Sequence, residues 1–382
     1  MRSSSGYFGK SMISLLAGLG LATAMSFNSC SDVEFSDALS SNTKVPPGGL
    51  CLPGSQASGC IPPPPPRLVD YDDTFTVPAS SSKVDILLVL DNSGSMRQDL
   101  TKLGERMDGL IAILDNGGVD WQMCHTLTDG SGATRDWALP QGVANRKLLL
   151  PSTVNKAQIL FNTLDTLQDN GSGNEQGIVA IRNALSASAN ASCFRADAAL
   201  SVVLISDEDE KSCGGRCLDW ISSEIPTATQ YREASSYRDQ YRDLAAEDDP
   251  QGLVNFVKST FNNKTFINHS IVIKPGDAAC YDEQDQNNPG FFGVQYSRLQ
   301  ALTGGILGSI CAASYADQLT AMGQRTRDAI NSVTLRCAPV SAPTVTISPA
   351  TAATWSVSGN KIIFSMPVLE GTQVRVRYTC AE

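Results

Sequence analysis

The sequence contains few of the side chains that enzymes commonly use for catalysis. It has two histidines in 382 residues, His125 and His269. Both fall inside predicted strands, where a buried histidine with satisfied hydrogen bonds is the usual case. The motifs H-E-x-x-H, G-x-S-x-G and G-x-x-x-x-G-K-[ST] do not occur. We therefore predict a protein that is not an enzyme and keep a carboxylate-dependent hydrolase as the least favoured hypothesis.

Positive charge is also scarce. The chain has 29 Lys and Arg against 39 Asp and Glu, which gives a formal net charge of −10. This excess of negative charge argues against nucleic acid and against anionic membrane surfaces as partners. The cysteines lack paired C-x2-C spacing, which argues against structural zinc. Beyond the first thirty residues no stretch is long and apolar enough to span a bilayer.

The N-terminal segment has the pattern of a secretory signal. Arg2 and Lys10 precede a short apolar stretch, residues 12–25. Cleavage after Ala24 is one alternative; the other is a site resembling a bacterial lipobox that ends at Cys30. The total of eleven cysteines is odd, and assigning Cys30 to a lipid leaves ten for disulfides. We predict an acylated Cys30 on an outer-membrane lipoprotein that faces the cell surface or the periplasm.

Composition divides the chain into five segments. After the signal peptide, residues 1–29, a Pro-rich tether covers 30–70. A strand predicted at 74–77, within segment 71–83, precedes an α/β domain at 84–332. A small β-module occupies 333–382, and we expect the strand at 74–77 either to complete it or to stand alone.

Strand and helix patterns alternate through the α/β domain. Apolar strands are predicted at 84–90, 119–127, 198–205, 266–273 and 304–306, and helices at 100–114, 154–167, 177–185, 296–303 and 315–330. This order predicts a doubly wound, mostly parallel sheet with helices on both faces. Ligands of such sheets bind at the carboxyl ends of the strands.

One motif lies at such a strand end. Asp91, Ser93 and Ser95 directly follow the apolar run Val84–Leu90. Short oxygen-bearing side chains at alternate positions suit Mg2+, which prefers oxygen ligands and keeps several waters. This D-x-S-x-S run resembles the first motif of the metal-ion-dependent adhesion site (MIDAS) of von Willebrand factor A (VWA) domains. We expect its loop in a surface crevice.

The resemblance implies two further loops. Asp207, at the end of the strand at 198–205, matches the third-loop aspartate of the family. In the second loop the family has a threonine where this chain has Asn174, and the neighbouring Glu175 is an alternative ligand. The implied ion is Mg2+, with Mn2+ or Ca2+ as alternatives. In the family the two serines coordinate the ion directly, and a partner's carboxylate completes its coordination.

The predicted function follows from that resemblance. We expect divalent-cation-dependent binding of a protein or glycan that presents a carboxylate, in adhesion or envelope assembly. The membrane is expected to be contacted through the lipid anchor only. The alternative is a structural envelope scaffold in which the metal only stabilises the loop.

Three other groups of residues give predictions. We predict that the acidic run Asp207–Glu210 is a solvated loop, with a field that favours cations as the alternative. Tyr231, Tyr237 and Tyr241 are predicted to pack on their own domain, with a partner-facing patch as the alternative. The remaining ten cysteines are predicted to pair as sequence neighbours. The predicted disulfides are Cys51–Cys60, Cys124–Cys193, Cys213–Cys217, Cys280–Cys311 and Cys337–Cys380.

Overall fold

The computed structural model describes part of the chain. The described residues are 66–381 without 79–81, 168–170, 172–174, 213–243, 245, 262–263, 285 and 287–289. They belong to one compact unit. Several residues named above lie outside them: Cys30, Cys51, Cys60, Asn174, Cys213, Cys217, Tyr231, Tyr237 and Tyr241.

The observed elements follow the predicted alternation closely. The strands are β1 (Leu68–Thr76), β2 (Lys83–Leu90), β3 (Asp120–Leu127), β4 (Ala199–Ile205), β5 (Phe266–Val272), β6 (Leu307–Ser309), β7 (Ser332–Thr334), β8 (Thr344–Ser348), β9 (Trp355–Ser358), β10 (Lys361–Phe364) and β11 (Gln373–Ala381). The helices are α1 (Arg97–Asn116), α2 (Lys156–Thr166), α3 (Gly177–Ser186), α4 (Pro250–Thr260), α5 (Ala278–Gln284), α6 (Val294–Thr303) and α7 (Ala316–Ile330).

The central sheet is parallel, with strand order β3-β2-β4-β5-β6 in the described chain. Val84 to Leu90 of β2 are buried at every position because β2 lies inside the sheet and both faces are covered. Helices α1, α2 and α7 pack on one face. Helices α3, α4 and α6 pack on the other. The predicted doubly wound class is confirmed.

The chain reverses direction across the sheet between β2 and its neighbours. It passes from β2 to β3 on one side and then crosses to β4 on the other. This reversal is the topological switch point of the sheet, and the loops after β2 and β4 diverge there. A crevice for a ligand is expected at this edge.

The β-module consists of two antiparallel sheets, β1-β11-β8 and β7-β10-β9, around a shared apolar core. Strand β1 pairs with β11 from Leu68 opposite Ala381 to Thr76 opposite Gln373. The expectation that a strand before the α/β domain completes the module is therefore confirmed. That strand begins at Leu68, however, inside the segment predicted as tether.

Three predicted disulfides are present. Cys124 of β3 pairs with Cys193, Cys280 of α5 pairs with Cys311, and Cys337 pairs with Cys380 of β11. The other two predicted pairs lie outside the described residues. No helix of the described part is long and apolar enough to cross a membrane.

Candidate metal centre

The sheet brings Asp91 and Asp207 to the same edge. Leu90 lies opposite Ile205 in the register of the adjacent strands β2 and β4. The backbone N–H of Asp91 donates to the carbonyl of Ile205 at 3.1 Å, which continues the ladder by one step. Asp91, the first residue after β2, and Asp207, the second residue after β4, therefore both lie at the switch point, and Ser206 between β4 and Asp207 contacts Asp91.

Asp91 is held rigidly. One carboxylate oxygen accepts the backbone N–H of Ser93 at 2.8 Å, and the other accepts the hydroxyl of Ser206 at 2.6 Å. The side chain is fully buried, whereas Gly94 of the same loop is exposed, so the loop reaches the surface while the Asp91 carboxylate does not. Burial, and then the neighbouring Glu175 carboxylate, raise the pKa of Asp91 to about 6, whereas the two serines act in the opposite direction.

The two serines of the motif form a hydroxyl pair. The Oγ atoms of Ser93 and Ser95 lie 3.0 Å apart, within hydrogen-bond distance. Ser93 is 7% exposed, and the short 3-10 helix Gly94–Met96 follows it directly. This turn leads into α1 and places the alternate positions 93 and 95 on one side of the loop.

Asp207 is buried without a compensating hydrogen bond. Its exposed fraction is 0%, and neither carboxylate oxygen has a hydrogen-bond partner of standard geometry among the described residues. Burial, and then the Asp91 carboxylate, raise its pKa well above the ordinary range, while the nearby Ser95 hydroxyl opposes the shift. A buried carboxylate in this state is destabilising unless it takes up a proton or a cation reaches it.

The second loop approaches the first through a glycine. The N–H of Gly171 donates to the carbonyl of Asn92 at 3.0 Å. A Cβ at position 171 would lie 2.5 Å from backbone atoms of Asn92 and Ser93, so only glycine fits this close approach. Glu175, in the same loop, is 1% exposed, and its Oε1 has no hydrogen-bond partner among the described residues.

Lys211 brings a positive charge to these acids. Its ammonium lies 3.1 Å from Oε2 of Glu175 and also pairs with Glu208. The Phe291 ring centroid is 4.8 Å away from the ammonium, and the residue as a whole is 6% exposed. Burial lowers the pKa of Lys211, an effect that Glu175, Asp91 and Asp207 oppose.

The prediction of a solvated acidic run is wrong. Residues 207–210 are all buried, with exposed fractions of 5% or less. Glu210 accepts the N–H of Ile178 at 2.6 Å at the start of α3. Asp209 accepts the N–H of Gln295 at 3.0 Å at the start of α6. Two of the four acids therefore cap helices, where they meet unpaired N–H groups and the positive end of the helix dipole.

The donor set fits a hard divalent cation. The crevice presents two serine hydroxyls, together with the Asp207 carboxylate and the Oε1 of Glu175, which have no hydrogen-bond partner of standard geometry among the described residues. Mg2+ accepts such oxygen donors together with water. In the described part of the chain no group of three or more His, Cys, Asp or Glu side chains is arranged as a ready ligand cage. Any ion held here therefore depends on the hydroxyls and on water as well as on carboxylates.

Two contacts of the candidate metal centre were not predicted from the sequence. The Ser206 hydroxyl orients Asp91 and also accepts the N–H of Glu208 at 3.0 Å. Lys211 lies four residues beyond Asp207 and three beyond Glu208 in a loop that is not helical, so this spacing alone does not predict its contact with Glu208. The sequence gives no indication that Lys211 turns toward Glu175, because that contact depends on the fold of the loop after β4.

The two histidines are both buried, as predicted, and burial lowers the pKa of each to about 3. Among the described residues, the satisfied hydrogen bonds predicted for both are found for His269 and not for His125. The Nδ1 of His269 accepts the N–H of Ile306 at 3.0 Å, and its Nε2 lies 3.0 Å from the Thr326 hydroxyl. Neither ring nitrogen of His125 has a partner among the described residues. Its ring packs on Trp137, with the centroids 4.3 Å apart.

Comparisons with known proteins give similarity at the level of the fold. No family model and no curated protein matches the chain. A von Willebrand factor type A structure from Catenulispora acidiphila is 15% identical over 82% of this chain and 61% of that one, with a TM-score of 0.37. The pilus adhesin SpaC from Lactobacillus rhamnosus GG, in its open conformation, is 12% identical over 87% of this chain and 46% of that one, with a TM-score of 0.35.

A third similar structure is the manganese-loaded TRAP protein of Plasmodium vivax. It is 14% identical over 68% of this chain and 78% of that one, with a TM-score of 0.33. This chain spans less than two thirds of the length of the first two structures. The fold is Rossmann-like and doubly wound. With identities and TM-scores this low, the assignment of the site rests on the strand order and side chains of this chain.

Proposed function

We propose that this chain carries a MIDAS-type site of the VWA kind, which binds a divalent cation and through it a carboxylate of a protein or glycan partner. The observation that carries the proposal is the Asp207 carboxylate. It is fully buried, neither of its oxygens makes a hydrogen bond of standard geometry in the described structure, and it lies at the switch point beside Asp91. A cation in the crevice relieves this cost directly.

The residues of the proposed site supply different kinds of ligand: neutral oxygens and negatively charged carboxylates. Ser93 and Ser95 are the neutral oxygen donors, and Asp91 and Asp207 supply negative charge. Glu175 or Asn174 supplies the second-loop oxygen. When bound, Mg2+ supplies a Lewis-acidic position for a partner's carboxylate, with Mn2+ or Ca2+ as alternatives. Neutral hydroxyls leave the ion enough charge to attract that acid.

Calorimetric titration with Mg2+ and Mn2+ tests the metal site. We expect saturable binding to the wild type and none to Asp207→Asn, which keeps the side-chain volume and removes the charge. Lys83→Met is the matched control, since Lys83 lies at the opposite end of β2 and pairs with Asp197. If Asp207→Asn binds the ion as wild type does, the ion is held elsewhere and the proposed site is wrong.

Partner binding is tested on intact cells. A pull-down with the wild-type domain is expected to capture its partner in Mg2+ and to lose it in chelator. A folded Asp91→Ala variant is expected to fail in both conditions. Capture that survives both chelator and Asp91→Ala contradicts metal-dependent adhesion and favours the scaffold function. The Lys211 ammonium supports that second candidate, because it supplies one cation to the loop without any metal.

We further propose that the domain is displayed by an acylated Cys30 on an outer-membrane lipoprotein. Support comes from the signal-like segment before Cys30 and from the odd cysteine number. Mass spectrometry of the mature N-terminus decides between an acylated Cys30 and cleavage after Ala24. An unmodified N-terminus at Met25 would contradict the lipid anchor.

A further inference from the structure

Lys211 is buried, and both its backbone and its ammonium contact acidic residues of the candidate metal centre. Its backbone N–H donates to the carbonyl of Glu175 at 2.7 Å, which ties the loop after β4 to the loop that precedes α3. Its ammonium contacts Glu175 on one side and Glu208 on another. The Phe291 ring covers it further, and the N–H of Phe291 donates to the carbonyl of Asp207 at 2.9 Å.

Glu175 links this ammonium to the candidate metal position. Its Oε2 faces Lys211 at 3.1 Å, whereas its Oε1 has no hydrogen-bond partner in the described structure. The Glu175 charge acts on both Asp91 and Asp207. One carboxylate therefore lies between a resident cation and the acids that would face a bound ion.

The negative charges of the site make the Lys211 ammonium and a bound divalent cation depend on each other. Asp91, Glu175, Asp207 and Glu208 are four buried carboxylates, and Lys211 is the cation that the structure places among them. Buried like charges are costly unless they are offset. An ammonium fixed there lowers the net negative charge that a divalent cation would meet.

We propose that Lys211 is a resident counter-cation of this site, which stabilises the metal-free fold and weakens divalent-cation binding. The fraction of molecules that hold a metal ion then varies with the concentration of the free ion, because the ion is not bound almost irreversibly. The inference rests on the proposed metal site and adds to it a residue that tunes the site's affinity.

Lys211→Met tests this inference, because it keeps the length of the side chain and removes the charge. We expect the affinity for Mg2+ and Mn2+, measured by calorimetry, to rise about tenfold. We also expect the Tm in chelator to fall, so that the rise in Tm on adding Mg2+ becomes larger than in wild type. Lys83→Met is the control for net charge and is expected to leave the affinity unchanged.

Each result has a defined meaning. If wild type binds the ion and Lys211→Met binds it equally well or more weakly, the inference is overturned and the proposed metal site survives. If wild type binds no ion and Lys211→Met does, the proposed function fails and the role of Lys211 as the resident cation is supported. If neither binds, both are overturned. Lys211→Gln, which keeps hydrogen-bond donors, replaces Lys211→Met in every arm if the latter does not fold.

Discussion

The carboxylate of Glu210 accepts the backbone N–H of Ile178, the second residue of α3, at 2.6 Å. An acid thirty-two positions along the chain therefore caps a helix whose own preceding residue, Gln176, makes no side-chain cap. The contact fixes the loop after β4 to the helix that follows the second loop. It thereby holds two sides of the candidate metal centre together.

Removing this cap is expected to destabilise the domain. Glu210→Ala should lower the free energy of unfolding by about 1–2 kcal/mol, since it removes a charged acceptor at a helix N-terminus. Glu210→Gln keeps an acceptor and should cost less. Urea unfolding measures both. Equal losses for the two variants would show that charge, not the hydrogen bond, carries the effect.

Asp207→Asn is expected to have opposite effects in chelator and in metal. In chelator its Tm should exceed that of wild type, because a buried carboxylate without a hydrogen-bond partner is neutralised. In Mg2+ wild type should gain stability through linkage and the variant should not. Thermal unfolding in both buffers is the measurement. A lower Tm of the variant in chelator would mean that the charge of Asp207 is compensated in the metal-free protein.

The same acids predict a pH dependence of the metal-free protein. The pKa of Asp91 is about 6 in the folded state, above its ordinary value, so the folded state binds more protons between about pH 4 and 6. This group's contribution to stability is therefore greatest below about pH 4 and is lost as pH rises through 6. The difference in unfolding free energy between wild type and Asp91→Asn, measured from pH 4 to 8, reports this contribution together with the rise in the Asp207 pKa that the Asp91 charge causes. A difference that does not vary with pH would contradict the raised pKa.

His125→Phe is expected to reduce the sensitivity of the fold to acid. Burial lowers the pKa of His125 to about 3, so its contribution is full above the unfolded value near 6.5 and is lost as pH falls toward 3. Phenylalanine keeps the packing on Trp137 and breaks no hydrogen bond of the described structure. Stability at pH 7 should be retained and its decline between pH 6 and 4 should be shallower.

His269→Phe is the matched comparison for that prediction. It buries the same kind of ring but loses the hydrogen bonds with Ile306 and Thr326. It should therefore be less stable than wild type at pH 7, by about 1–3 kcal/mol. If the two variants behave alike at pH 7, the difference in hydrogen bonding between the histidines has no energetic consequence.

The Cys124–Cys193 disulfide is expected to contribute strongly to stability. It joins positions 69 residues apart, and its removal by double substitution to alanine should cost about 2–5 kcal/mol. Chemical unfolding measures this cost. Non-reducing peptide mapping of the full chain tests the remaining predicted pairs, Cys51–Cys60 and Cys213–Cys217. Free thiols at those four positions would contradict the five-disulfide scheme.

Much of the α/β fold was predictable because its signals are local. The apolar run of β2 is followed directly by Asp91, that of β4 is followed after Ser206 by Asp207, and parallel strand ends meet at one edge. Helix α4 was missed although Asp249 and Pro250 give a start signal, and Asp249 does accept the N–H of Gln251. The last strand was predicted at 304–306 but lies at Leu307–Ser309. Gly304 adopts a left-handed conformation at the end of α6, and the strand begins only after it, at Leu307.

The surroundings of the acidic residues and the strand pairing of the β-module depend on contacts between residues that are distant in the sequence. The spacing of residues along the chain does not identify these contacts. Asp207 to Glu210 are consecutive acids of the same kind, yet their surroundings differ because α3, Lys211 and α6 reach them from distant positions. The segment 333–382 was predicted as a small β-module, with the strand at 74–77 either completing it or standing alone. Its division into two sheets could not be predicted, because short strands carry too little pattern to specify their neighbours.

The pairing of β1 with β11 has a mechanical consequence. Tension applied at Leu68 and resisted by a ligand at the carboxyl edge of the sheet follows the covalent path through β1 and β2, residues 68–90. Strands β7 to β11 lie outside that path, and the force reaches them only through the ladder of hydrogen bonds between β1 and β11. Shearing that ladder would release only the few residues of β1 and its connection to β2. The site would therefore remain folded and close to its point of attachment after the first rupture.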